Sequence, residues 1–125
     1  MNTYIERQIA EQIERNKPIK AYANNAMYSD TEPHEVIKIC TENKVIVRQM
    51  QAERSPDWKP NIVAGGFAGH CTNNEDQRNA WVIEPWGAGR EVTIRWSKAK
   101  RQWQSADGSR FYMCDHPVKH YDFNF

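Results

Sequence analysis

No stretch of this chain approaches the ~20 consecutive apolar residues of a membrane span, and its mean hydropathy is −0.88. Charge of a dominant sign is also missing. The 17 Lys and Arg stand against 16 Asp and Glu, a net charge of +1, which excludes a histone-like footprint and offers no continuous basic stripe for a long nucleic acid. Cysteine is scarce: Cys40, Cys71 and Cys114 are odd in number and widely spaced, with no CxxC. They read as reduced thiols rather than a disulfide frame. The opening residues, MNTYIERQIAEQIERNKP, carry acids and no apolar h-region, unlike a signal peptide. Together these absences predict a cytoplasmic domain without membrane contact.

What is present describes a globular protein. With 26% charged and 11% aromatic residues the composition is not that of a disordered chain. Its 125 residues fit one domain, 1–125, able to bury roughly two thirds of its unfolded surface. Five tryptophans, Trp58, Trp81, Trp86, Trp96 and Trp103, are many for this length. Charge is uneven as well: residues 87–110 hold six basic side chains (Arg90, Arg95, Lys98, Lys100, Arg101, Arg110) against Glu91 and Asp107. A local excess beside tryptophans suits anions or stacked bases, although a solvated hairpin has the same composition.

Thr3-Tyr4-Ile5-Glu6 has the form of a capping box, and Ile5, Ile9 and Ile13 recur every four residues before Pro18. The spacing predicts an amphipathic helix over 3–17. After Asn25 the period changes to that of strands. Glu35–Cys40 and Lys44–Met50 are β-branched runs around Thr41-Glu42-Asn43, a hairpin in which Val45 and Val47 share one face. Further strands are expected at Ala80–Glu84, at Arg90–Trp96, where Val92, Ile94 and Trp96 align, and from Gln102, with turns at Pro85–Gly89 and Asp107-Gly108. The fold class is α+β, mostly β: an antiparallel sheet or partly open barrel over 26–125, preceded by the helix. A long irregular loop, 55–79, contains Gly65-Gly66-Phe67-Ala68-Gly69, and loops of that length usually carry function or are disordered.

No catalytic constellation emerges. Cys114, His116, His120 and Asp122 match no standard zinc spacing. His70 and Cys71 are sequence neighbours whose side chains diverge on an extended chain. The glycine stretch lacks the Lys-Ser/Thr of a P-loop, and Glu75-Asp76 reads as a solvated turn. Neither a metal nor a cofactor is expected. Binding features are stronger. Arg48 and Arg95 on strands, and Arg54 at the mouth of the long loop, are of the type that grips phosphate. Trp81 is placed to stack a base, with Asn74 and Gln77 to read its edge. Against this, Trp81 and Trp96 sit in alternating strands, where core positions are the more ordinary reading.

From Tyr28 onward the order of motifs resembles a small phage and prophage family. The matching residues are Tyr28-Ser29-Asp30, Pro33, Val45, Val47, Ala52-Glu53-Arg54, Asp57, Asp76-Gln77, Trp81, Pro85, Gly87, Trp96 and the closing Tyr121-Asp122-Phe123-Asn124-Phe125. They span residues 26–125, and their order and spacing carry the likeness. The family is similar to the Thoeris anti-defence sponges of the first type, which bind cyclic ADP-ribose isomers and hold them uncleaved. The resemblance implies a homo-oligomer with pockets between subunits, using Arg, an aromatic and an Asn, and assemblies that take other cyclic nucleotides. Two segments depart from the pattern: Pro117-Val118-Lys119-His120 stands where the family has a basic residue before its Tyr-rich end, and Gly65–Cys71 is unlike the usual loop.

The expectation is therefore a cytoplasmic phage-type protein that sequesters a cyclic nucleotide signal, using Arg48, Arg54, Arg95, Trp81, Asn74 and Gln77. The alternative is a phage-encoded inhibitor that blocks a host defence complex through a Trp/Arg surface. Two further readings are an enzyme that cleaves such a signal, with His70 or His120 as base, and a binder of single-stranded nucleic acid on a β-sheet.

Overall fold

The computed structural model describes residues 17–63, 70, 71, 73, 74, 77 and 79–123. The helix expected over 3–17 lies outside them, apart from Lys17. Strand β1 (Tyr22–Ala26) is followed by the two-residue β2 (Thr31–Glu32), then by β3 (His34–Thr41) and β4 (Lys44–Gln49). Strands β9 (Glu91–Ser97), β10 (Gln102–Gln104) and β11 (Arg110–Cys114) complete the main sheet. Its order is β11-β10-β9-β4-β3-β1-β2, and β11 also pairs with β1 over five residues, from Tyr22↔Cys114 to Ala26↔Arg110. Six antiparallel strands thus close into a barrel. The expected partly open barrel is closed because β1, which lacks a β-branched run, supplies the missing strand, so the β core begins at Tyr22 rather than 26.

The predicted faces hold. Val45, Val47 and Ile94 are buried with Ala23, Trp103, Phe111 and Met113, and Val92 and Trp96 pack against them. Trp96 meets Trp103 edge to face at 5.9 Å between centroids, and Trp103 Nε1 donates to Lys17 O at 3.2 Å, which satisfies its polar edge inside the apolar interior. Two register shifts between β3 and β4, at Val36/Lys38 and Ile39/Thr41, add the local bend that closure requires. Among the described residues no helix is long and apolar enough to cross a membrane.

Past Gln49 the chain leaves the barrel. Strand β5 (Gln51–Arg54) pairs with β8 (Trp81–Glu84), from Gln51↔Glu84 to Arg54↔Trp81, as a separate ribbon. The turn expected at Pro85–Gly89 is present, at Gly87 and Ala88, but it does not reverse the chain. Strands β8 and β9 pair with successive parts of one bent partner, β5 then β4, so Pro85–Gly89 is an excursion within one arm of a long hairpin. Gly89 closes it, donating its N–H to Trp86 O at 2.9 Å. A Cβ there would land on the Gln49 carbonyl, with Trp86 O at 3.0 Å and Arg48 Cγ at 3.1 Å. Between β5 and β8, in the region read as an irregular loop, sits a small hairpin of β6 (Ile62–Val63) and β7 (His70–Cys71).

This packing makes two expectations measurable. Gly89→Ala, which forces the Gln49 carbonyl aside, costs about 1–3 kcal/mol, whereas Gly87→Ala, facing open space, stays within about 0.5 kcal/mol; urea unfolding measures both. His34 is 5% exposed and lies edge-on to Phe111 at 5.1 Å. Burial holds its imidazole below the ordinary 6.5, partly opposed by the Glu32 carbonyl and carboxylate. The unfolded chain therefore takes up the proton first, and stability is lost as pH falls below 6.5. Melting of His34→Asn between pH 7 and 5 should lack that component, whose slope is bounded by the one-proton limit of about 1.4 kcal/mol per pH unit.

Candidate functional site

Beyond β11 the C-terminal segment, residues 115–123, runs back over the outside of the barrel. Asn24 sits on the outer face of β1 yet is completely buried, because this segment covers it: its Nδ2 donates to His116 O at 3.3 Å and its Oδ1 accepts Val118 N–H at 3.0 Å. Thr31 and His120 then exchange backbone hydrogen bonds of 2.9 and 3.0 Å. Asp122 N donates to Asp30 Oδ1 at 2.8 Å. One side of the segment is thereby sewn to β1 and β2.

Its other side is held by two amides from the long loop. Gln77, 5% exposed, donates through Nε2 to Asn74 O at 2.7 Å and Tyr121 O at 2.6 Å. Its Oε1 accepts from Trp81 Nε1 at 3.1 Å and Tyr121 N at 3.0 Å. These four bonds exhaust the side chain. Asn74, 8% exposed, accepts Phe123 N–H at 2.8 Å and donates to Asp122 Oδ1 at 3.2 Å. The ring of His120 lies between two carbonyls, Nδ1 3.1 Å from Ser29 O and Nε2 3.0 Å from Asn74 O.

Between this segment and β8 lies a cleft of about 370 Å³. Trp81 and Ile83, alternate residues on one face of β8, form one wall; residues His116–His120 form the other. Pro117 and Val118 make that wall largely apolar. Lys119 supplies its charge: the ammonium stands 5.3 Å from the Trp81 ring centroid and pairs with Glu32 on β2. The two side chains are only 14% and 25% exposed. In so little water the pair and the cation–π contact count for more than on an open surface.

Of the six residues expected to bind, the structure brings four to this region. Trp81 and Gln77 line the cleft. Asn74 ties down the segment that walls it. Arg54 faces Trp81 across the β5–β8 ladder, with its guanidinium 5.5 Å from the Phe123 ring. Phe123 also packs on Trp58 and Tyr121, at 5.5 and 5.0 Å. The other two sit elsewhere. Arg48 is on the outer barrel face, bonded to Glu35 through Nη2 at 2.9 Å and Nε at 3.3 Å. Arg95 lines a wider depression of about 440 Å³ at the barrel end. That depression mixes charges. Arg90 and Arg95 face Glu91 and Asp107, and hydrogen bonds from Ser105 and Ser109 hold the Asp107 carboxyl down at about 2.

Sequence reasoning missed Lys119 and its partner Glu32. The signal was available in part, since Lys119 is the single Lys or Arg of the last fifteen residues. Gly65–Gly69, Glu75 and Asp76 lie outside the described residues, as do Asn124 and Phe125. Among the described residues no three His, Cys, Asp or Glu side chains gather as a metal would require. Cys114 Sγ lies 3.5 Å from His116 Nδ1, while Cys71 is buried and donates to Asn73 Oδ1 at 3.2 Å. Comparison with known protein families, with curated proteins and with solved structures yields no match.

Replacing Gln77 with Met keeps its bulk and removes all four hydrogen bonds. The loss should cost about 2–4 kcal/mol, since buried partners are left unsatisfied. Hydrogen exchange should show the Tyr121 and Phe123 amides losing protection before those of β4 and β9.

Proposed function

We propose that this chain binds a small cyclic nucleotide in the Trp81–Lys119 cleft and withholds it uncleaved, in the manner of the anti-defence sponges its motif order resembles. The observation that carries the reading is a sheltered ammonium beside an indole ring in a walled cleft. An aromatic face takes a base or ribose, worth about 1–3 kcal/mol per stacked base. The ammonium takes a phosphate oxygen through a charge-assisted bond of about 1.5–3 kcal/mol. The volume, about 370 Å³, lies within the range of small-molecule sites.

The energetics extend the proposal. Sequestration at nanomolar level needs about 12 kcal/mol, more than one indole and one ammonium supply. The remainder has to come from further buried contacts, and a second copy of the chain is the source this reading adopts, giving a homo-oligomer acting in the cytoplasm. Arg54, beside Trp81 on the ribbon, is the next cation in reach. Cleavage is less well supported, because both ring nitrogens of His120 already face carbonyl oxygens. A Trp/Arg inhibitory surface also has less behind it: Trp103 is buried, Trp58 and Trp96 are packed, and of the five only Trp86 counts as an exposed aromatic, at 39%.

Native mass spectrometry with cyclic ADP-ribose isomers tests the reading. A stoichiometric adduct that heat releases at unchanged mass is expected; released fragments would mean cleavage, and no adduct would sink the proposal. By calorimetry, Trp81→Ala and Lys119→Met should each weaken binding at least tenfold, while Arg48→Ala and Arg95→Ala stay within about threefold.

A further inference from the structure

Resting on that reading, we infer that the cleft selects its ligand by a flat ring and a negative charge and does not discriminate among bases. Hydrogen-bonding capacity decides the matter. Base identity is read by paired donors and acceptors, as when an Asn or Gln amide meets adenine at two atoms. Among the described residues the cleft has one side-chain amide, Gln77, and its two donors and its acceptor oxygen are engaged by Asn74 O, Tyr121 O, Trp81 Nε1 and Tyr121 N. The indole N–H is spent in the same network. Both nitrogens of His120 face backbone carbonyls, and Val118 N–H is held by Asn24.

Ile83, Pro117 and Val118 bring no polar side-chain atoms. Of the described side chains that line the cleft, the Lys119 ammonium, which reads charge, and the imidazole of His116 remain, and a lone imidazole does not make the paired in-plane contact by which an amide reads a base. An amide already saturated within the protein gains nothing by turning to a ligand, because each bond it gave up would leave a buried partner unpaired. Gln77, which lines the cleft, and Asn74, which ties down its wall, are residue types that elsewhere recognise bases; here they build the site and do not read its contents. The ring is chosen by stacking, which every base offers, and the ligand by its anionic charge.

The experiment follows the Trp81 indole N–H signal by NMR during titration of the full chain. The probes are cyclic ADP-ribose, the 3′,5′-cyclic monophosphates of adenosine, guanosine and uridine, and uncharged adenosine. Cyclic AMP and cyclic GMP with dissociation constants within about threefold, and adenosine at least tenfold weaker, are the expected result. A preference of tenfold or more for either purine overturns the inference and leaves the nucleotide-binding reading standing. The inference is likewise overturned if cyclic ADP-ribose binds and the cyclic monophosphates do not, since more than ring and charge is then being read. If none of the probes moves the signal, both readings fall.

Discussion

The side chain of Gln77 joins three parts of the chain that have no backbone ladder in common. It reaches the loop carbonyl of Asn74, the indole of Trp81 on β8, and both backbone groups of Tyr121 in the C-terminal segment. An amide buried to this degree is tolerable only when its donors and acceptors are all matched. That condition fixes geometry: Trp81 can turn only one edge toward Gln77, and residue 121 must lie where its N–H and C=O straddle the amide. The cleft is a consequence, since its walls are Trp81 and the residues just before Tyr121. Asn74 repeats the device one and two residues further along, at Asp122 and Phe123.

The barrel supplies the rigid body against which that clasp works. Closure through β1 and β11 leaves its sheet with β2 as the one strand added beyond the ring, and β2 is the strand that the C-terminal segment meets, at Thr31, and that carries Glu32 for Lys119. The ribbon of β5 and β8 has no such support from ladder bonds. A two-stranded ribbon is marginal by itself. Here it continues the β4–β9 pairing past the Pro85–Gly89 excursion and leans on the C-terminal segment, so the stability of the candidate site depends on residues 115–123 remaining docked.

Much of the barrel could be read along the chain, because Val45 and Val47, or Val92, Ile94 and Trp96, repeat with the period of a half-buried strand and need no distant information. Strand β1 could not. Tyr22-Ala23-Asn24-Asn25-Ala26 has neither β-branched residues nor a polar/apolar alternation. Ala23 is small where the interior is crowded, and Asn24 is polar where a segment more than ninety residues away covers it. The site was legible as a set of residue types and not as roles. Trp81 and Gln77 stood out as ligand-reading groups, and they do meet, yet they hydrogen-bond to each other, and Gln77 also to Asn74 and Tyr121. Lys119 became informative only once the fold set it beside Glu32 and Trp81. Arg54, at the mouth of the long loop, was the arginine most expected in a pocket; of the two on strands, the register gives Arg48 to Glu35 and leaves Arg95 at the barrel end.

The state of Lys119 also bounds what the cleft can do. An ammonium has three donors; the ion pair to Glu32 uses one, and the indole face attracts the charge without taking a hydrogen. An arriving phosphate can therefore be bonded while the Glu32 pair stays intact, which matters because removing one partner would leave the other charge half-buried and uncompensated. The same pairing leaves the local charge close to neutral. A phosphate meets a dipole rather than a free cation, so long-range attraction is small, and the affinity has to be made at contact by stacking and by burial of the ring against Ile83, Pro117 and Val118. A site of this kind accepts any flat ring that the cleft can stack, and the contact with Lys119 then separates anionic ligands from uncharged ones. It follows that salt should weaken binding far less here than at a site built from unpaired arginines.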